Sequence, residues 1–188
     1  MRRALAAAAG LLLGCAGMQG PMLDPQEHVR GEHQRLLREP VAQLWPALLR
    51  ALSDEGLRVA RADRARGTIA TGPVRYGERD VLRRLAEIGD LARARQAGLR
   101  RVSELNVTYY LLVASAGDTG TSLRIRSTIQ ATDRSETMWL GPGLFQVIPR
   151  TVEVPSRGVA ERELMRSLGA SLFTAEEMLF LLGEPGID

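Results

Sequence analysis

Residues 105–114 read Leu-Asn-Val-Thr-Tyr-Tyr-Leu-Leu-Val-Ala, and residues 123–130 read Leu-Arg-Ile-Arg-Ser-Thr-Ile-Gln. In both stretches the odd-numbered residues are mostly apolar and the even-numbered residues are mostly polar, which is the two-residue period of a half-buried β-strand. Between them, residues 116–120 read Ala-Gly-Asp-Thr-Gly and favour a turn. We therefore expect two long antiparallel strands joined as a hairpin, with one apolar face and one wet face.

An amphipathic helix is expected before these strands. Apolar residues at spacings of three and four share one helical face: Val41, Leu44, Trp45, Leu48, Leu49 and Leu52. Pro46 lacks an N–H, so we expect regular helix from no earlier than about Gln43, and Gly56 is expected to end it. Two short strands are expected next, over 57–62 and 68–71, joined by a tight connection.

Helical spacing returns near the C-terminus. Apolar residues four apart predict a helix over about 157–172, and the pair Thr174 and Glu177 forms a capping box that starts a short terminal helix. This order of elements predicts a two-layer α+β fold in which an antiparallel β-sheet is wrapped around a long C-terminal helix. Residues 28–188 are expected to form this single domain, with a helical insert at about 76–102.

The insert is rich in arginine. Between Arg75 and Arg101 there are eight arginines and four acidic residues. One interpretation is a surface that faces anionic head groups or peptidoglycan. The favoured one is a solvated helix face with ion pairs inside the helix, such as Glu87 with Arg83 or Arg84.

The N-terminal residues 1–15 read Met-Arg-Arg-Ala-Leu-Ala-Ala-Ala-Ala-Gly-Leu-Leu-Leu-Gly-Cys. Their apolar run would be about 15 Å long as a helix, too short for a hydrocarbon core of about 30 Å. Cys15 is the only cysteine, and with Leu12 and Gly14 before it the run resembles the lipobox of bacterial lipoprotein signals. The resemblance implies removal of residues 1–14 and acylation of Cys15. The alternative is an ordinary secretory signal with an incidental cysteine.

Residues 15–27 carry the acylated cysteine and a tether. This stretch contains several glycines and prolines and has no apolar period, which is typical of a flexible linker. Near Cys15 the chain has Gly17 and not the aspartate that retains lipoproteins in the inner membrane of enteric bacteria. By resemblance to that sorting rule, we expect a lipid-anchored protein in the outer membrane facing the periplasm, with the inner membrane as the alternative.

Charge and cysteine content limit the classes of binding partner and the ways in which the domain can be stabilised. The chain has 25 basic residues, all arginine, and 22 acidic ones, and removal of Arg2 and Arg3 leaves a nearly neutral mature protein. Nucleic acid is therefore not expected as a partner. A single cysteine used for lipid leaves no disulfide and no free thiol, so a packed core must stabilise the domain.

Residues 134–155 contain the candidate contact residues. Five large apolar residues surround Gly141-Pro142-Gly143 in what is expected to be an irregular loop: Trp139, Leu144, Phe145, Val147 and Ile148. They are our candidates for contact with a protein partner. The competing interpretation is that they cap an open end of the core.

No catalytic or metal-binding motif emerges. His28 and His33 are the only histidines, and their spacing of five places them on opposite faces of a strand, unlike a metal-binding pair. No Ser-His-Asp set can be assembled, although carboxylates from distant positions could converge unseen. We expect no enzyme activity, no metal and no cofactor.

The order of core and turn residues carries one family resemblance. These residues are Leu44-Trp45-Pro46-Ala47-Leu48, Gly56-Leu57-Arg58-Val59, Asp63, Gly67-Thr68-Ile69, Ser156-Arg157-Gly158, Glu161 and Leu164. Together with the two long strands they resemble the helix-grip domain of BamC-type outer-membrane lipoproteins. The resemblance implies a non-catalytic accessory subunit of the machinery that inserts β-barrel proteins into the outer membrane.

A second function stays open from the same fold. In related helix-grip folds a cavity between the sheet and the C-terminal helix binds a lipid or another apolar ligand. The small residues Gly169 and Ala170 would leave room for such a cavity, or would allow tight packing instead, which we prefer.

Overall fold

The computed structural model describes residues 33–117 and 120–172. Eleven elements follow one another in these ranges: β1 His33–Leu37, α1 Val41–Asp54, β2 Val59–Asp63, β3 Thr68–Thr71, β4 Val74–Tyr76, α2 Val81–Ile88, α3 Leu91–Gln96, β5 Val102–Ala116, β6 Gly120–Gly141, β7 Leu144–Val154 and α4 Val159–Leu172. The signal at 1–14, the acylated cysteine and tether at 15–27 and the terminal helix from Thr174 lie outside the described residues.

The long hairpin of β5 and β6 forms the centre of a seven-stranded antiparallel sheet. The strand order is β1-β6-β5-β3-β2, while β4 pairs with β5 and β7 pairs with β6. Leu111 lies opposite Ile125 and Val107 opposite Ile129, and all four side chains are buried. The predicted α+β class, the antiparallel sheet and the alternation of apolar and wet faces are confirmed.

One core fills the space between the sheet and the helices. Leu48 and Leu52 of α1, Leu85 of α2 and Leu168 of α4 are fully buried within it. These side chains come from helices that share one face of the sheet, and none of the described helices covers the other face.

Helix α1 begins two residues earlier than expected. It starts at Val41, so Pro46 lies inside the helix rather than in its first turn. Pro46 is on the exposed face of α1. A residue with an N–H at this position would donate to the Ala42 carbonyl, and because Ala42 is also exposed, that carbonyl can bind water instead. The cost of an internal proline is therefore smaller here than in a buried turn.

The sheet is not wrapped around one long C-terminal helix in the part of the chain that is described. Helix α4 has 14 residues, the same length as α1, and the two helices pack against each other on the sheet. The predicted bounds of α4 were close. The local 3.6-residue period shows that a helix forms, but it does not show how many helices share the sheet.

A buried carboxylate ties α4 to the sheet. Glu161, fully buried in the first turn of α4, accepts hydrogen bonds from the Ser127 backbone N–H at 3.1 Å and the Ser127 hydroxyl at 2.6 Å. Its second oxygen accepts one from the Ser156 hydroxyl at 2.9 Å. Both side-chain oxygens of Glu161 therefore accept hydrogen bonds, as buried polar groups usually do.

The insert forms two short helices, and ion pairs form within α2. Glu87 lies 3.3 Å from the Arg83 guanidinium and 3.2 Å from that of Arg84, which confirms the ion pairs expected within the helix. Arg84 also binds Glu163 of α4, and this hydrogen bond raises the pKa of the guanidinium further above its usual range. The insert is thus fastened to α4.

No helix in the described ranges is both long enough and apolar enough to cross a membrane.

Candidate protein-contact site

Strands β6 and β7 continue as a two-stranded ribbon beyond the rest of the sheet. Pairing between β5 and β6 ends at Val102 and Asp133, because the chain before Val102 turns away into α3. We call residues 134–149 the hairpin arm. The prediction of an irregular loop over 134–155 is therefore wrong, since these residues form two paired strands that are joined by a turn at Gly141-Pro142-Gly143.

The residues at the tip of the arm suit the turn that they form. Gly141 pairs with Leu144, and the two residues between them are Pro142 and Gly143, the latter with a φ of 74°. A type II turn requires a positive φ at its third position, which glycine provides, and proline is common at its second. The glycines and proline thus close a hairpin tip.

Two register shifts explain why the arm was not recognised as a pair of strands. The pairing shifts between Asp133 and Glu136, and again between Trp139 and Gly141, where Leu140 is the extra residue of a bulge. Each shift breaks the two-residue alternation that identifies a strand in a sequence. Both faces of the arm also meet the same solvent, so no alternation is imposed by burial.

Apolar side chains lie on both faces of the arm. Trp139 and Phe145 are cross-strand partners, and Val147 follows on their face. Met138 and Ile148 lie on the opposite face, where Leu144 is also placed by its position in β7. The five residues proposed from the sequence are therefore brought together, and Met138 and Leu140 join them.

These side chains are exposed to solvent. Trp139 is 63% exposed, Leu144 62% and Phe145 67%, and every residue from 134 to 140 and from 142 to 149 is classed as exposed. Among the described residues, none of the five belongs to the core or packs against it. The interpretation that they cap an open end of the core is wrong.

The base of the arm is held by a buried carboxylate. Asp133 is 1% exposed and accepts backbone N–H bonds from Arg100 at 2.9 Å, Arg101 at 3.0 Å and Ser135 at 2.8 Å. Burial alone would raise the pKa of this carboxyl, but the three N–H donors prevail and lower it below its usual range. Asp133 thus stays ionised and fixes the point where the arm leaves the sheet.

A guanidinium crosses the same junction. Arg150 donates to the carbonyl oxygen of Gly98 at 2.7 Å, lies 3.8 Å from Asp133 and pairs with Glu136 of the arm at 3.2 Å. The base of β7 is therefore tied both to the loop after α3 and to β6. This arrangement orients the arm relative to the sheet.

The backbone edges of the arm are open. In residues 33–117 and 120–172, no strand other than β6 and β7 themselves pairs with the arm. Each edge presents N–H and C=O groups that can bind another strand. Pro149 removes one donor from the β7 edge, whereas the β6 edge from Ser135 to Leu140 has no proline.

Of the two histidines and the cysteine, the structure describes only His33. His33 lies in β1 opposite Ile125, and burial, then Arg35 and Arg162, lower its pKa. Cys15 and His28 lie outside the described residues. Within residues 33–117 and 120–172, no group of three His, Cys, Asp or Glu side chains could hold a metal ion.

The space between the sheet and α4 is filled by side chains. Leu164, Met165 and Leu168 are buried there, and Gly169 is buried beside them. The small residue therefore allows close packing, as the sequence favoured. Binding of an apolar ligand between the sheet and α4 stays a prediction.

Neither a protein-family model nor a curated protein matches the chain. The resemblance to BamC-type lipoproteins therefore stays a prediction.

Proposed function

We propose that the chain is a lipid-anchored, periplasm-facing accessory protein of outer-membrane protein assembly that acts without catalysis, by binding a protein through the hairpin arm. The observation that carries this proposal is the arm itself: a rigidly based ribbon with seven exposed large apolar side chains. The lipobox supports the anchor, and the BamC-type resemblance supports the process. Under that resemblance the domain is a shortened helix-grip fold.

The size of the arm suits a protein contact. Seven large apolar side chains, each roughly half exposed, present on the order of 600 Å² of apolar surface. A standard interface buries about 800 Å² on each partner. Because the apolar side chains lie on both faces of the arm, a partner that encloses the arm would bury most of this area, and a partner on one face would bury about half of it. Apolar surface of this extent on one short ribbon is typical of an interaction site.

The open edges favour a protein partner over the bilayer interior. Backbone N–H and C=O groups that lack partners each cost several kcal/mol in hydrocarbon, which is why open strand edges are not found there. A protein partner can pair with the same groups as an added strand. The partner that fits is therefore an extended, weakly charged segment of a β-rich protein.

Photo-crosslinking in intact cells tests this contact. We expect a benzoylphenylalanine placed at Phe145 to form an adduct with a barrel-assembly subunit or an outer-membrane β-barrel protein, identified by mass spectrometry. The matched control is the same group at Leu82 of α2, which is 64% exposed but lies outside the arm. Adducts with lipid alone, or equal protein adducts at both positions, would contradict the proposal.

The anchor has its own test. Cys15→Ala removes the thiol that would be acylated, so we expect the variant to incorporate no labelled palmitate and to leave the membrane fraction after lysis. Ala16→Ser, which leaves the cysteine in place, should keep both properties. If wild-type protein takes up no palmitate, the lipobox interpretation fails, whatever the fractionation shows.

A further inference from the structure

A depression lies at the base of the hairpin arm, where β6 passes the first residues of β5. It has a volume of about 600 Å³, and the described residues that line it include two arginines, Arg101 and Arg134, and one carboxylate, Glu78. Val147 and Pro149 of the arm line it as well. The described lining thus combines two positive charges and one negative charge with apolar surface of the arm.

The two arginines start from neighbouring backbone positions. The Arg134 N–H donates to the carbonyl oxygen of Arg101 at 2.9 Å, and the Arg101 N–H donates to the buried Asp133 carboxylate at 3.0 Å. The junction that holds the arm therefore also positions both arginines. Their side chains are exposed, and neither guanidinium forms an ion pair with another described residue. A carboxylate bound in the depression can accept hydrogen bonds from both guanidinium groups.

One edge of β6 leads from the tip of the arm into this depression. Residues 129–133 of β6 pair with β5 on one edge and with β7 on the other. Beyond Asp133 the β5 edge has no partner strand among the described residues, from Ser135 to Leu140. A strand of about six residues, roughly 20 Å long, can add there in line with β5.

The direction of an added strand decides which of its ends meets the arginines. Strand β6 runs from the base of the arm to its tip, so an antiparallel strand runs from the tip to the base and brings its carboxyl end to Arg101 and Arg134. Strand β5 begins at Val102 on the same line, so the added strand has to end or turn away there. A main-chain terminal carboxylate ends the strand and suits two guanidinium groups, whereas a parallel strand would bring an ammonium group, which they repel.

We propose that the base of the arm binds the C-terminal carboxylate of an extended polypeptide, which adds to the edge of β6 as an antiparallel strand. This inference rests on the proposed function, since it names the segment of the partner protein that the arm binds. Side chains of the added strand point alternately to the two faces of the arm, beside Trp139 on one face and Met138 on the other. The segment is therefore apolar on both of its faces.

Peptides with and without a terminal charge test the carboxylate site. The probe is a pool of heptapeptides with fluorescein at the N-terminus and residues drawn from valine, leucine, phenylalanine, tyrosine and threonine. It is made once with free C-terminal carboxylates and once with C-terminal amides, and a third pool ends in a glutamate whose terminus is an amide. Binding to the full chain, purified from membranes in detergent, is followed by fluorescence anisotropy.

We expect the free acids to bind about tenfold more tightly than the amides, because the carboxylate accepts charge-assisted hydrogen bonds. Arg101→Gln with Arg134→Gln should bring this ratio to about one and leave binding of the amides unchanged. Arg162→Gln with Arg166→Gln, at exposed positions of α4, changes the net charge equally and should keep the tenfold ratio. Glu78→Gln removes a like charge from the depression, so it should strengthen binding of the free acids alone, by about threefold.

Photo-crosslinking tests the direction of the added strand. A benzoylphenylalanine next to the C-terminus of the peptides should form adducts with residues 101–103 or 147–149, identified by mass spectrometry after digestion. The same group at the N-terminal residue should form adducts near the tip of the arm, at 139–145. The reverse pattern would mean a parallel strand and would overturn the inference.

Four results separate this inference from the function it rests on. If the free acids bind no better than the amides while Phe145 still gives protein adducts in cells, the carboxylate site is wrong and the arm contact stands. If no pool binds and the cellular adducts are also absent, both are wrong. If the glutamate pool binds as tightly as the free acids, a side-chain carboxylate is sufficient and the inference is overturned. If Phe145 forms adducts with residues 173–188 of its own chain, that segment occupies the arm and the inference is again overturned.

Discussion

A Gly67→Ala chain is expected to lose about 3 kcal/mol or more of its free energy of unfolding. Gly67 has a φ of 64°, where an alanine costs about 1 kcal/mol, and an added Cβ would overlap the carbonyl oxygen of Val113. The backbone would have to separate there, which would break the 2.7 Å hydrogen bond from the Val113 N–H to the Gly67 carbonyl. Chemical denaturation followed by circular dichroism measures the change.

Gly56→Ala is the matched control. Gly56 follows α1 with a φ of 71°, but nothing lies within 4 Å of the position that its Cβ would take. Its alanine variant should therefore lose only the conformational part, about 1 kcal/mol. Equal losses in the two variants would mean that the close approach of Gly67 to β5 is not real.

Replacing both aromatic residues of the arm should nearly abolish partner binding while leaving the fold intact. Trp139 and Phe145 are cross-strand neighbours and the largest exposed side chains of the arm. Buried aromatic anchors in interfaces are commonly worth 2 kcal/mol or more each, so Trp139→Ser with Phe145→Ser should reduce binding by a factor of several hundred. Quantifying an arm adduct formed from a benzoylphenylalanine at Val147, on the same face, measures this loss.

The stability of that double variant separates contact from structure. Because both side chains are exposed, we expect the free energy of unfolding to change by less than about 0.5 kcal/mol per substitution. Leu82→Ser, at an equally exposed position on α2, should leave the adduct unchanged. A large loss of stability in the double variant, or retained adducts, would show that the arm does not act as the contact surface.

Most of the central sheet could be predicted because its signals are local. The alternation in 105–114 and 123–130 is imposed by a core on one side of each strand, and the apolar stripe from Val41 to Leu52 is imposed by the same core. Short elements were harder to recognise. Strand β4 has three residues, too few to show any period. Pro46 predicts that α1 begins near Gln43, but α1 begins at Val41 because water can bind the Ala42 carbonyl that Pro46 leaves without a donor.

Composition was enough to identify the residues of the candidate site, but it did not reveal that they lie on two paired strands. Trp139, Leu144 and Phe145 stood out as apolar residues around a glycine-proline turn, but two bulges and solvent on both faces hid the strands. The signal that was available was Gly141-Pro142-Gly143 between two β-prone runs, which is a hairpin pattern. Asp133 gave no such signal, because its partners are backbone N–H groups 32 and 33 residues earlier in the chain.

The α+β class, the paired long strands and the ion-paired helix of the insert follow from local patterns in the sequence, since each depends on neighbours within a few turns or residues. Acylation of Cys15 stays a prediction from the same kind of local pattern. The folded chain alone reveals that β6 and β7 extend beyond β5 as an exposed arm, that Asp133 and Arg150 fix its base, and that arginines from β2, β6 and the turn after β2 line one depression. These features depend on where distant strands end and how they register, and pairing between distant strands is set by the whole sheet rather than by any local period.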